Sequence, residues 1–187
     1  MRLHRNLVFT VVDSIKLIFN EDEYADKVVE KALKRDKRWG ARDRKFIAET
    51  IYDMVRWKRL YNEIAGTKSH YTTENVWKNF AVLAVLKGYE LPDWNQLQGI
   101  PARRIKGKFD ELQKTRVFKE SIPDWMDKRC VEELGEKHWS KEIQALNQQA
   151  SVILRTNTLK TTKQALQKKL SEEGIERLAI ENVKRIL

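Results

Sequence analysis

Apolar residues recur at helical spacing from the N-terminus to about residue 148, and there the period changes. Residues 151–156 (SVILRT) form a short β-branched and apolar run that suits a strand. Asn157 to Thr162 interrupt it, and Thr161 or Thr162 is placed to cap a helix through its hydroxyl. From Lys163 the pattern is helical again, with Ala165, Leu166 and Leu170 on one face and lysines and glutamines opposite. Gly174 stands where a left-handed helix stop is expected, and residues 178–180 offer a second strand. The expected fold is therefore mainly α. A helical bundle occupies residues 1–149, and 150–187 begin a small α+β segment that is expected to be cut short.

Stripes of apolar residues place the helices of the bundle. The first runs over about 4–19, and the second from Tyr24 to Arg35. One long helix is read over 42–65, with Phe46, Ile47, Thr50, Ile51, Met54, Val55 and Ile64 as its buried stripe. Thr72 or Thr73 caps the next helix, which is apolar nearly all round from Val76 to Leu86 and so belongs at the centre. A short turn of helix is expected after Leu91-Pro92-Asp93-Trp94, and a basic helix over 102–113. Ile122-Pro123-Asp124-Trp125 sets proline at the start of another helix, with Asp124 near its positive end. Gly135 stops that helix, and a last one runs from His138 or Trp139 to about 148. There is no internal repeat and no Gly/Ser linker, so the change of period near Ala150 marks the domain boundary.

Charge narrows the partner. The chain of 187 residues carries 37 Lys and Arg against 27 Asp and Glu, a net charge of +10 on an ordinary globular pattern. Such a surplus favours polyanions, nucleic acid first. The single cysteine, Cys130, excludes an intramolecular disulfide and points to the cytoplasm. The apolar run Leu7 to Val12 is too short for a signal peptide, and no stretch reaches the ~20 apolar residues of a membrane span.

Catalytic patterns are lacking. The sequence holds no glycine-rich phosphate loop, no nucleophile elbow and no His-Glu-x-x-His, and His4, His70 and His138 lack ligand spacing, so neither a catalytic nor a metal site is expected. Cys130 reads as a packing residue, and Glu132/Glu133 and Glu172/Glu173 as surface charge. Basic residues are the informative ones. Between Lys31 and Arg59 lie eleven Lys or Arg and four acids, with Trp39 and Trp57 among them. Two readings stay open: the tryptophans stack on unpaired bases, or they anchor the bundle while the cations keep it soluble. Arg103, Arg104, Lys106 and Lys108 form a second basic cluster suited to an RNA backbone. Arg155 and Asn157 lie at alternate positions and can present a donor fork and an amide together, with Lys160 following. Equally, Arg155 can pair with a carboxylate and Asn157 cap the turn.

Residues 120–136 (ESIPDWMDKRCVEELGE) and 142–175 (EIQALNQQASVILRTNTLKTTKQALQKKLSEEGI) resemble the segment before the catalytic domain of Sun-family (Fmu-type) RNA cytosine-5 methyltransferases. In that family an IP-W helix, an ALN helix end and an LR-N-LK strand occur in this order. Residues 41–64 (ARDRKFIAETIYDMVRWKRLYNEI) are similar to a helix of the NusB-like domain such enzymes carry. The resemblance implies an all-helical NusB-like RNA-binding domain, a ferredoxin-like α/β extension, and then a methyltransferase domain that binds S-adenosylmethionine and uses two cysteines. Cys130 follows Arg129 and matches neither cysteine, so no catalytic residue and no cofactor site is expected in this segment. After Leu86 the chain departs from the NusB-like pattern, with ELPDWNQLQGIPARRIKGKFDEL in its place.

The function expected on this basis is RNA recognition, ribosomal RNA first and transfer RNA second, for a parent cytosine-5 methyltransferase whose own C-terminal catalytic domain is the other partner. Arg42, Arg44, Lys45, Arg56, Lys58, Arg59, Arg103 and Arg104 are expected to hold phosphates, and Arg155, Asn157 and Lys160 to contact the substrate strand or brace the junction. The alternative is a stand-alone NusB-like adaptor that binds RNA and a partner protein.

Overall fold

The computed structural model describes residues 3–67, 71–150 and 153–175. The chain divides into two compact units, Met1–Asn147 and Gln148–Leu187.

The first unit is helical throughout its described residues. Helix α1 (Arg5–Asn20) buries Leu7, Val8, Val11, Val12 and Ile15 in one stripe, and α2 (Ala25–Lys34) buries Val28, Val29 and Ala32 against it. Helix α3 (Ala41–Arg56) packs on both. Helix α5 (Thr73–Leu86) starts where the Thr72 hydroxyl accepts the Asn75 N–H at 3.2 Å. It buries Val76, Trp77, Phe80 and every residue from Ala81 to Val85, and touches α1, α3 and α4 (Lys58–Ala65). A helix apolar all round can only sit inside other helices, and α5 is the centre of the bundle.

The single long helix expected over 42–65 is two helices, broken at Trp57 (φ −100°, ψ 19°). Phase explains the break. Ile47, Ile51 and Met54 face the core, and an uninterrupted helix would carry Lys58 onto that face and Leu60 away from it. The break turns Lys58 out and buries Leu60, Tyr61 and Ile64. Gly66 (φ +67°) ends α4 in the left-handed conformation.

After α5 the chain makes a 3-10 turn at Asn95–Leu97 and then α6 (Ala102–Leu112), whose Ile105, Phe109 and Leu112 pack on the bundle. A four-residue helix absent from the sequence reading, α7 (Arg116–Lys119), precedes α8 (Asp124–Leu134) and α9 (Glu136–Leu146). These last two helices build a small core of their own from Ile122, Trp139 and Ile143, with Met126, Cys130 and Val131 at its edge. Cys130 is partly buried and packs there, in the packing position its sequence context suggests.

Among the described residues of the second unit there is one helix, α10 (Lys163–Glu172). Thr162 caps it by accepting the Ala165 N–H at 3.2 Å, and Gly174 (φ +72°) follows its end. The strand expected over 151–156 is not seen in the part that is described. Residues 153–157 carry no ladder, and Ile153 and Leu154 are exposed. A β-branched run becomes a strand only beside a partner strand, and none lies among the described residues. Residues 151, 152 and 178–180 fall outside them. No described helix is long and apolar enough to cross a membrane.

Candidate nucleic-acid interface

The basic segment 31–59 is largely engaged within the protein. Lys31 pairs with Glu23 at 2.5 Å, Lys34 with Glu30 at 2.6 Å and Arg35 with Asp13 at 3.1 Å. Arg38 grips Asp36 at 2.7 Å, and its hydrogen bonds hold that carboxyl down to about 2. Arg44 donates to the Trp39 carbonyl at 3.0 Å, and Lys45 lies 3.7 Å from Glu49. Lys58 sits 4.7 Å over the Phe19 ring. The Arg44 bond is part-buried, but each of these cations is itself exposed and reachable from solvent. The Arg42 side chain is exposed and has no ion pair or hydrogen bond among the described residues. The two tryptophans anchor rather than present. Trp39 is buried in the bundle core, and Trp57 is half-buried with the Arg56 guanidinium 5.1 Å from its ring.

Arg56 and Arg59 point the other way, into the joint between the bundle and α7–α9. Arg56 Nη2 donates to the Glu120 carbonyl at 3.1 Å. Burial pulls its guanidinium below the ordinary value, with the Glu120 carboxylate opposing. Arg59 donates to the Ile122 carbonyl and takes both oxygens of Asp124 at 2.8 and 2.9 Å. Its guanidinium also stacks 4.8 Å from the Phe118 ring. Asn147 closes the joint, its Nδ2 donating to the Glu120 carboxylate at 2.6 Å. Between these contacts Ser121 takes the left-handed conformation (φ +52°), which reverses the chain into α8. Sequence reasoning assigned both arginines to phosphate. Their only visible signal for a joint is the later Ile122-Pro123-Asp124, since a carbonyl acceptor leaves no trace in residue type.

A second charged centre lies under α8 and α9. Arg116 takes both oxygens of Asp127 at 2.7 and 2.9 Å and also reaches Glu136, and Trp139 Nε1 donates to Asp127 at 2.8 Å. The Arg116 hydrogen bond leads in holding the Asp127 carboxyl below its usual range, and the same pair raises the Arg116 guanidinium. Sequence reading missed this centre, because its members stand apart in the chain.

Helix α6 is different in kind. Ile105 faces the core, while Arg103, Arg104 and Lys106 are exposed and free of ion pairs among the described residues. Lys108 alone is held, donating to the Glu63 carbonyl at 3.3 Å. In the second unit Arg155, Asn157 and Lys160 are all exposed. The Asn157 side chain accepts the Leu159 N–H at 3.0 Å, so it does cap the turn, and Arg155 has no ion pair among the described residues. No group of three or more His, Cys, Asp or Glu among the described residues is arranged to hold a metal.

No curated protein and no solved structure matches the chain. A family model does, over residues 122–186: the methyltransferase RsmF/B-like, ferredoxin-like domain. The match opens on Ile122, whose carbonyl Arg59 holds, and runs through α8, α9 and α10. From Ile122 onward the chain is thus similar to the ferredoxin-like domain of RsmF/B-like methyltransferases.

Proposed function

We propose that this chain is the RNA-recognition region of an S-adenosylmethionine-dependent RNA cytosine-5 methyltransferase, with ribosomal RNA as the first candidate substrate. The observation that carries the reading is the match of 122–186 to a domain of RsmF/B-like methyltransferases. It is joined through Arg56 and Arg59 to a helical bundle in a chain of net charge +10. In this reading the bundle is NusB-like and holds RNA by its phosphates, while Arg155 and Lys160 sit on the matched domain, nearer the reaction. The attacked carbon of a cytosine is shielded in a stacked helix, so the parent enzyme extrudes the base, and a recognition region keeps the flanking strand in place meanwhile. S-adenosylmethionine belongs to the catalytic domain, and no residue of this chain is assigned a role toward it.

The test is binding of the purified chain to ribosomal RNA fragments, transfer RNA and inorganic polyphosphate at 0.15 M salt. Tighter binding to one ribosomal fragment than to polyphosphate is expected. Equal affinity for all three would remove the RNA-recognition reading.

A further inference from the structure

Charge on α6 runs against the helix. Arg103 and Arg104 occupy the first turn, where the positive end of the helix dipole repels them, and Asp110 and Glu111 occupy the last, where the negative end repels acids. Arg104 and Lys108, four apart, add a like-charge pair on one face. Helix α2 runs the other way, with Asp26 in its first turn and Lys31 and Lys34 in its last, and α4, which also opens on cations, has its Arg59 bound to the Ile122 carbonyl and Asp124. Some exposed lysines of the bundle are matched to acids, as in Lys78 with Glu74 at 2.7 Å and Lys34 with Glu30 at 2.6 Å. On α6, Arg103, Arg104 and Lys106 have no such match among the described residues. The inward face cannot be the reason for the arrangement, because Ile105, Phe109 and Leu112 supply the packing. A local rule broken at an exposed position, with no gain inside the fold, marks a site shaped for something outside it.

We infer that Arg103, Arg104 and Lys106 on α6 are the principal RNA-backbone contacts of the bundle. The inference rests on the RNA-recognition reading above and deepens it. Three unpaired cations within one turn of helix complement a run of phosphates, and α6 exposes no aromatic ring on which a base would stack. The contact is therefore to the backbone and reads no sequence. Arg56 and Arg59, turned into the joint, contribute to RNA affinity only by holding the fold.

The experiment compares two variants of equal net charge on the full chain. One is Arg103→Gln/Arg104→Gln/Lys106→Gln. The other, Lys31→Gln/Lys34→Gln/Lys78→Gln, removes lysines already paired with acids. Binding to a ribosomal RNA fragment is measured across salt concentration, with thermal unfolding alongside. The α6 variant is expected to bind at least ~10-fold more weakly at 0.1 M salt and to lose about 2 units of the log–log salt slope. Its Tm rises by about 2 °C, because the repulsion along α6 is relieved. The paired-lysine variant keeps the wild-type slope. Single Arg103→Gln, which disturbs the helix least, lowers the slope by ~0.7 and supplies the answer should the triple variant not fold. Equal loss in both triple variants overturns the inference in favour of diffuse charge, and a lowered Tm in the α6 variant overturns it in favour of a structural role. Vesicles of anionic phospholipid that bind as tightly as RNA, and lose binding in the α6 variant, would reassign the surface to a membrane. Absence of RNA binding by the unaltered chain removes the parent reading, whereas retained binding by the α6 variant removes only this inference.

Discussion

Arg59→Ala tests whether the joint between the bundle and α7–α9 is a structural element. Arg59 makes three kinds of contact, and they differ in worth. The Ile122 carbonyl belongs to a residue only 4% exposed, so losing its donor leaves a nearly buried acceptor unpaired, which costs about 1–3 kcal/mol. The stacking on Phe118 contributes about 0.5–1 kcal/mol. The ion pair with Asp124, made by Nη2 alone to both oxygens, adds ~0–1 kcal/mol, because the Asp124 side chain is 79% exposed and solvent screens it. Together these give about 1.5–5 kcal/mol, or a fall in Tm of roughly 3–20 °C at the sensitivity of a domain of this size. Differential scanning calorimetry reads the loss directly. Asp124→Ala removes only the screened contact and lowers stability by less than ~1 kcal/mol. The two variants therefore separate the carbonyl from the ion pair. A change below ~0.5 kcal/mol for Arg59→Ala, or equal losses for the two variants, would refute the reasoning and return Arg59 to the solvent-facing role its sequence context suggests.

Asp127→Asn breaks the fork to Arg116 and the Trp139 bond, and lowers stability by about 2–3 kcal/mol at neutral pH in chemical denaturation. The Asp127 carboxyl is held below its ordinary value when folded, so its contribution is complete above about pH 4 and is lost as pH falls further. The variant's stability curve should be flatter than the wild type's in that acid range. Gly107→Ala, within α6 and with nothing within 4 Å of an added Cβ, should stabilise by ~0.5–1 kcal/mol. Gly66→Ala should instead cost about 1 kcal/mol from its φ of +67° alone, since the space around it is equally open. Phe80→Ala, at the fully buried centre of α5, should cost about 3–5 kcal/mol, a loss that denaturant midpoints resolve easily.

What the sequence discloses is what residue type and period encode. The stripes of α1, α2 and α5 and the caps at Thr72 and Thr162 were legible because each is a short-range pattern. The break at Trp57 was legible in principle too, as the phase slip between Met54 and Leu60, but a long apolar stripe with one charged member reads first as one helix. The joint was not legible. Arg56 and Arg59 look like surface cations until the carbonyls of Glu120 and Ile122 are brought to them across more than sixty residues, and a backbone acceptor has no sequence signature. The basic cluster of α6 was visible as composition. Its opposition to the helix dipole needed the observed bounds, Ala102–Leu112, to tell first turn from last. Trp125, 65% exposed, was read only as part of a helix start.

Packing and family similarity divide the chain at different places, and the joint reconciles them. Backbone proximity keeps α8 and α9 with the bundle as far as Asn147, whereas the family match begins at Ile122. Side chains agree with the match. Phe118 packs on the bundle core and its neighbour Val117 on the small core of Ile122, Trp139 and Ile143, so adjacent residues of α7 serve different interiors. The named bonds that cross at this point are polar: Arg56 and Arg59 to carbonyls and Asp124, with Asn147 on Glu120 beside them. Directional bonds fix an orientation that a small apolar contact alone would leave loose, because the planar Arg59 guanidinium donates from Nη1 to the Ile122 carbonyl and from Nη2 to Asp124. The arginines at this joint therefore set how the first helices of the region similar to that ferredoxin-like domain are presented from the bundle. That is a positioning role, and it asks of Arg56 and Arg59 the inward placement the structure gives them.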